Sequence, residues 1–114
     1  LKSPHDTFGD SIRYFVEDRA SHSRMLRDAG VRVPRIEVYD TGTLIHEFVE
    51  GNEIGAVLET ATPEERESLL RQKEAIIRKC EERGLIFMDN HDGNFIVSDG
   101  GEVTLIDLDF IPRR

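Results

Sequence analysis

The stretch that decides the fold is Phe87-Met88-Asp89-Asn90-His91-Asp92-Gly93-Asn94-Phe95-Ile96-Val97-Ser98-Asp99-Gly100-Gly101-Glu102-Val103-Thr104-Leu105-Ile106-Asp107-Leu108-Asp109-Phe110. It reads as a loop, a strand, a tight turn and a return strand. Phe95–Val97 is apolar and β-favouring, Asp99-Gly100-Gly101 is hairpin-turn chemistry, and Val103–Leu108 is the return strand. With Asp99-Gly100 as a two-residue turn, Ser98 faces Gly101, Ile96 faces Val103 and Asn94 faces Leu105. Strand side chains alternate between faces. Asn94 would then share a face with Leu105 and Asp107, at the roughly 7–8 Å of diagonal neighbours. An amide oxygen and a carboxylate starting there can reach one cation. A slip of two residues keeps that relation, and a slip of one destroys it.

Asp89 stands five residues before Asn94, and Asp92 and Asp109 add two further carboxylates nearby. Two unit charges 4 Å apart repel by about 4 kcal/mol at an effective dielectric near 20. A cation, a base or solvent must relieve such a cluster. Mg²⁺ suits it, because that ion takes few protein oxygens and fills its other positions with water and phosphate. A calcium loop fails on spacing. Glycine at its sixth position would put Met88 or Phe95 first, where an acid or amide is required.

The order Asp-x-His-x-Gly-Asn, an apolar strand, a turn, then Leu-Ile-Asp resembles the catalytic core of the protein kinase-like superfamily. It is most similar to the compact members: aminoglycoside and choline phosphotransferases, lipopolysaccharide kinases, and RIO-type or ABC-type atypical kinases. The resemblance implies that Asp89 orients the acceptor hydroxyl and takes its proton. It implies that Asn94 and Asp107 hold the Mg²⁺ that bridges the phosphates of ATP. His91 and Gly93 match the small-molecule-kinase version of the loop.

With 114 residues, one domain is the ceiling. An apolar share of 38% can build a modest core. The net charge of −8 argues against nucleic acid or an anionic membrane as the default partner and suits a site that must recruit Mg²⁺ before ATP. Cys80 is the sole cysteine, so no internal disulfide forms; this fits a reducing, cytoplasmic compartment. No apolar run approaches a membrane span, and no signal peptide is expected.

Toward the N-terminus, Lys2 stands in the order expected of the strand lysine that binds the α- and β-phosphates in the resembled family. A helix is predicted from Asp10 or Ser11 to about Ala29, with Gly30 ending it. Its apolar stripe is imperfect and includes Arg19. Glu17 and Asp18 are candidate partners for Lys2, although counting back one turn from Met25-Leu26 puts His22 in the expected place. Arg35–Tyr39 and Thr43–Phe48 read as a hairpin around Asp40-Thr41-Gly42. By resemblance, the second strand approaches an inter-lobe hinge. Glu47 would offer its carbonyl and Val49 its N–H to adenine, with His46 at the back of the pocket.

Asn52–Thr60 reads as a short helix. Thr62-Pro63-Glu64-Glu65 is a strong helix start that runs to Arg83, with Gly84 past its end. Leu69, Leu70, Ile76, Ile77 and Cys80 form its apolar stripe. The fold class is α+β: a truncated or minimal kinase-like fold, with two helices and two antiparallel hairpins around an inter-lobe cleft. Residues 1–48 would be the remnant of an N-terminal lobe, and residues 49–114 the core of a C-terminal lobe.

Neither G-x-G-x-x-G nor G-x-x-x-x-G-K occurs in these residues, so the chain reads as an incomplete or miniature domain. Phe87-Met88 replaces the His-Arg of ordinary protein kinases, which argues against control by a phosphorylated activation loop. Asp107-Leu108-Asp109 replaces Asp-Phe-Gly. Three functional readings follow: a phosphotransferase acting on a hydroxyl of a small molecule or protein, a degenerate nucleotide- or partner-binding module, or an interaction domain. The oligomeric state is left open.

Overall fold

The computed structural model describes residues 18–40, 42–87, 92–108 and 110. Lys2, Glu17, Asp89, His91 and Asp109 lie outside them. The first described element is a helix, α1, over residues 18–28. Gly30 ends it at φ +83° as the expected C′ residue. Gly30 N–H donates to the Arg27 carbonyl and Val31 N–H to the Leu26 carbonyl, which is a Schellman closure. Val31 and Leu26 are both buried, so the stop also feeds the core.

Beyond the stop, β1 (Ile36–Asp40) pairs antiparallel with β2 (Thr43–His46). Gly42 N–H donates to the Asp40 carboxylate in an Asx turn. The predicted hairpin is present, but β2 stops two residues before Phe48.

The short helix predicted from Asn52 is split. Asn52–Glu53 is a two-residue strand, β3, and α2 occupies Ile54–Thr60. β3 pairs with β4 (Phe95–Val97), which pairs with β5 (Val103–Leu105), so the second hairpin is widened into a three-stranded antiparallel sheet. Gly51 makes the close approach possible. Its φ is +147°, and a Cβ there would overlap the Val97 carbonyl oxygen and lie 2.8 Å from Ile96 Cγ2.

The long helix α3 spans Pro63–Glu82, with Thr62 as N-cap and Pro63 in its first turn. The Thr62 hydroxyl accepts from Glu65 N–H at 3.2 Å, which is the expected half of a capping box. Gly84, at φ +75°, repeats the stop seen at Gly30: Leu85 N–H reaches the Cys80 carbonyl and Gly84 N–H the Glu81 carbonyl. Leu69, Ile76 and Cys80 are buried as expected, whereas Leu70 is exposed. The described residues therefore hold three helices, α1 to α3, and two small antiparallel sheets, with the short α2 falling between the two longer helices in chain order, within the predicted α+β class.

The β4–β5 register corrects the sequence expectation. Phe95 stands opposite Leu105, Ile96 opposite Thr104 and Val97 opposite Val103, a slip of one residue from the predicted pairing. The turn is the cause. Gly101 N–H donates to the Ser98 carbonyl at 2.9 Å, Ser98 N–H donates to the Glu102 carbonyl at 3.0 Å, and Gly101 adopts φ +78°. The loop is thus three residues long, Asp99-Gly100-Gly101, with its last glycine in the left-handed region. The longer loop turns Phe95, Val97, Val103 and Leu105 into the core together. Strand alternation consequently gives no shared face to Asn94 and Asp107, and that expectation is overturned.

The core joins this buried face to Leu26, Ile36, Ile54, Leu69, Ile76 and Cys80. Two hydrogen bonds tie the segment between α1 and β1 into it. The buried Ser23 hydroxyl donates to the Pro34 carbonyl at 2.6 Å, and Leu105 N–H donates to the Arg32 carbonyl at 3.0 Å. Gln72 of α3 donates to the Gly101 carbonyl at 2.9 Å and accepts from Val103 N–H at 3.0 Å. That amide fixes the ribbon tip against α3.

Candidate active site

Asn94 ends a single 3₁₀ turn, Asp92–Asn94, immediately before β4, and is 4% exposed. Asp107 lies two residues past the end of β5 and is half-buried. Neither sits inside the ladder, so the pleat does not set where their side chains point. The backbone nevertheless joins the two segments: Ile106 N–H donates to the Asn94 carbonyl at 2.8 Å. The residue next to Asp107 is therefore bonded to the last residue of the 3₁₀ turn.

A base from another element meets Asp107. Arg19 Nη1 of α1 lies 3.8 Å from its Oδ1, with the two side chains 20% and 40% exposed. At that exposure the pair contributes at most about 1 kcal/mol. It still links α1 to the end of the ribbon. Asp92 has a closer partner. Lys73 Nζ of α3 lies 2.7 Å from its Oδ1 and 5.2 Å from the Phe95 ring centroid. Gly55, in the first turn of α2, borders the other side of Asp92, where a Cβ would meet Oδ2 at 3.4 Å. The 3₁₀ turn is thus held between α2 and α3.

Aromatic rings frame the loop ends. Phe87 and Phe110 form an isolated antiparallel bridge, with ring centroids 5.2 Å apart, and Phe87 also lies 6.3 Å from Phe95. His22 stands edge-on to Phe110 at 5.2 Å. His22 is half-buried in that packing position.

The hinge candidates lie between β2 and β3. Glu47 is exposed and Val49 half-buried. Glu47 N–H donates to the Arg35 carbonyl, and a Glu47 carboxylate oxygen accepts from Arg35 N–H at 3.0 Å. His46 Nδ1 lies 2.9 Å from the Glu47 carbonyl, which leaves that oxygen's second lone pair. Asp18 is exposed on α1.

Sequence reasoning missed the roles of Lys73 and Arg19. The signal was present in both. Lys73 sits four residues after Leu69 and three before Ile76, inside the buried stripe of α3, and Arg19 interrupts the stripe of α1. A charge in such a position requires a partner.

Among the described residues no group of three His, Cys, Asp or Glu side chains is arranged to hold a metal. The chemistry of one amide oxygen and one carboxylate, hard and sparse, would suit Mg²⁺ rather than a protein-enclosed Zn²⁺ or Ca²⁺ site.

The described residues form an α+β fold in which Asn94 and Asp107 stand at one end of the β4–β5 ribbon. The sequence matches the family model of the ABC1 atypical kinase-like domain over residues 16–111. The chain belongs to that family. Among curated proteins no match was found. No helix of the described residues is long and apolar enough to cross a membrane.

Proposed function

We propose that the chain is the core of a Mg²⁺- and ATP-dependent phosphotransferase that transfers the γ-phosphate of ATP to a hydroxyl on a small molecule or protein. Family membership supports the reading. The single structural observation that carries it is the Ile106–Asn94 hydrogen bond, which joins the Asp107 segment to the 3₁₀ turn. In this reading Asp89 orients the acceptor and takes its proton. Asn94 and Asp107 would hold Mg²⁺, which when bound offsets the negative charge of the phosphate oxygens. Lys2 binds the α- and β-phosphates, while the Glu47 carbonyl and Val49 N–H take adenine. Catalysis is then mainly positioning and charge stabilisation.

The test is a thermal-shift titration with Mg·ATP followed by a phosphate-transfer assay. Asp107→Asn is expected to abolish the Mg·ATP-dependent rise in melting temperature. Asp89→Asn is expected to keep that rise and lower turnover by about 10²-fold or more. Turnover in both variants equal to the parent chain would overturn the reading.

The Arg19–Asp107 pair favours a second reading, nucleotide binding without chemistry. It puts a base at the carboxylate that the first reading gives to the metal. Stabilisation by Mg·ATP with no transferred phosphate would support it.

A further inference from the structure

We infer that the groove between α2, the first turns of α3 and the tip of the β4–β5 ribbon docks an extended segment of a protein partner, one that carries aliphatic side chains flanked by Lys or Arg. The groove encloses about 490 Å³. Val57, Leu69 and Val97 supply its apolar surface, and Glu64, Glu65 and Asp99 stand on its rim. All three acids are exposed, and among the described residues none takes an ion pair.

The nearby bases are turned elsewhere. Arg66 donates to the Leu58 carbonyl at 3.1 Å, and Arg71 bonds Glu67 at 2.6 Å. Glu64 and Glu65 lie in the first turn of α3, where the helix dipole offsets part of their charge. Asp99 has no such compensation, and it belongs to a different element. The rim is therefore negative from two sides over an apolar floor, on a chain whose net charge is −8.

That combination selects its occupant. Anionic peptides, nucleic acid and anionic lipid are repelled. Lys and Arg can lay their methylene stems on the floor and keep their charge at the rim. The volume admits a few side chains rather than a globular face. The walls are already fixed by the Gln72 clamp on the ribbon tip and by the Thr62 cap on α3, so little ordering is required on binding.

The test uses the whole chain and fluorescence polarisation. The probe is a labelled peptide of about twelve residues carrying two arginines, a short spacer and two leucines; the control peptide has glutamine at both arginine positions. Saturable binding is expected. It should weaken about tenfold or more with Asp99→Lys, with the control peptide, and on raising salt from about 50 to about 500 mM. Asp99 lies in the ribbon loop, so Asp99→Lys should melt like the parent chain. Ser68→Arg, which fills the groove from α3, should weaken binding as well. Absence of saturable binding would overturn the proposal, as would binding unchanged by Asp99→Lys. Sedimentation showing a dimer that Asp99→Lys dissociates would assign the groove to a second copy and also overturn it.

Discussion

Lys73 stands in the middle of an apolar helix stripe, 19% exposed, with its ammonium shared between the Asp92 carboxylate and the Phe95 face. Asp92 keeps half its side chain in water. Replacing Lys73 therefore leaves a carboxylate that water can still solvate. Lys73→Met is expected to lower unfolding stability by only about 1 kcal/mol, and Lys73→Arg by less, as read from urea denaturation. Cys80 is the opposite case. It is 0% exposed, and burial pushes its thiol up to about 11. A raised acid pKa means that the folded state holds its proton more tightly than the unfolded chain. Its contribution is intact below about pH 9 and is lost as pH rises through 11. Stability should therefore fall across that window, and Cys80→Ser should flatten the fall. Asn94 and Asp107 stand at one end of the ribbon but not on the shared strand face expected from the sequence. Sequence alone could not set their side-chain directions, because those depend on the loop length and on a turn and an extended segment outside the ladder.

At the scale of elements, glycine placement decides what pairs with what. Gly51 lets β3 close on β4, a contact that any side chain would obstruct. Gly51→Ala is expected to cost at least about 2 kcal/mol from backbone strain and overlap, measured by chemical denaturation. Thr62→Ala, which removes the α3 cap bond, should cost about 1 kcal/mol. α3 and both helix stops were legible because their signals are local: Thr-Pro-Glu-Glu at one end and a glycine followed by a buried aliphatic residue at the other. β3 was not legible, since two polar residues carry no alternation. The ribbon register was missed for a related reason. Asp99-Gly100-Gly101 accepts a two- or a three-residue loop equally well by composition. The choice is made by burying Phe95 with Leu105, a contact between residues ten apart.

Across the whole molecule, burial is uneven. The β4–β5 ribbon is covered by α3 and carries Phe95, Val103 and Leu105 at or near zero exposure. The β1–β2 sheet has two strands, with Val38, Tyr39 and Ile45 exposed, and Phe48, two residues past the end of β2, is 85% exposed. A two-stranded ribbon draws little stability from its own pairing. Amide hydrogen exchange should therefore be at least about tenfold faster in β1–β2 than in β4–β5. The kinase-like resemblance was readable from the ordered string Asp-x-His-x-Gly-Asn, apolar strand, turn and Leu-Ile-Asp. The arrangement of exposed and covered sheet was not, because it depends on which strands find a third neighbour.

The Arg19 guanidinium beside Asp107 has a consequence for handling the protein. A carboxylate that already has an internal counter-charge does not depend on a dissolved divalent ion for the fold to persist. Treatment with a chelator should leave the melting temperature unmoved, and calorimetry with and without EDTA would reveal any dependence.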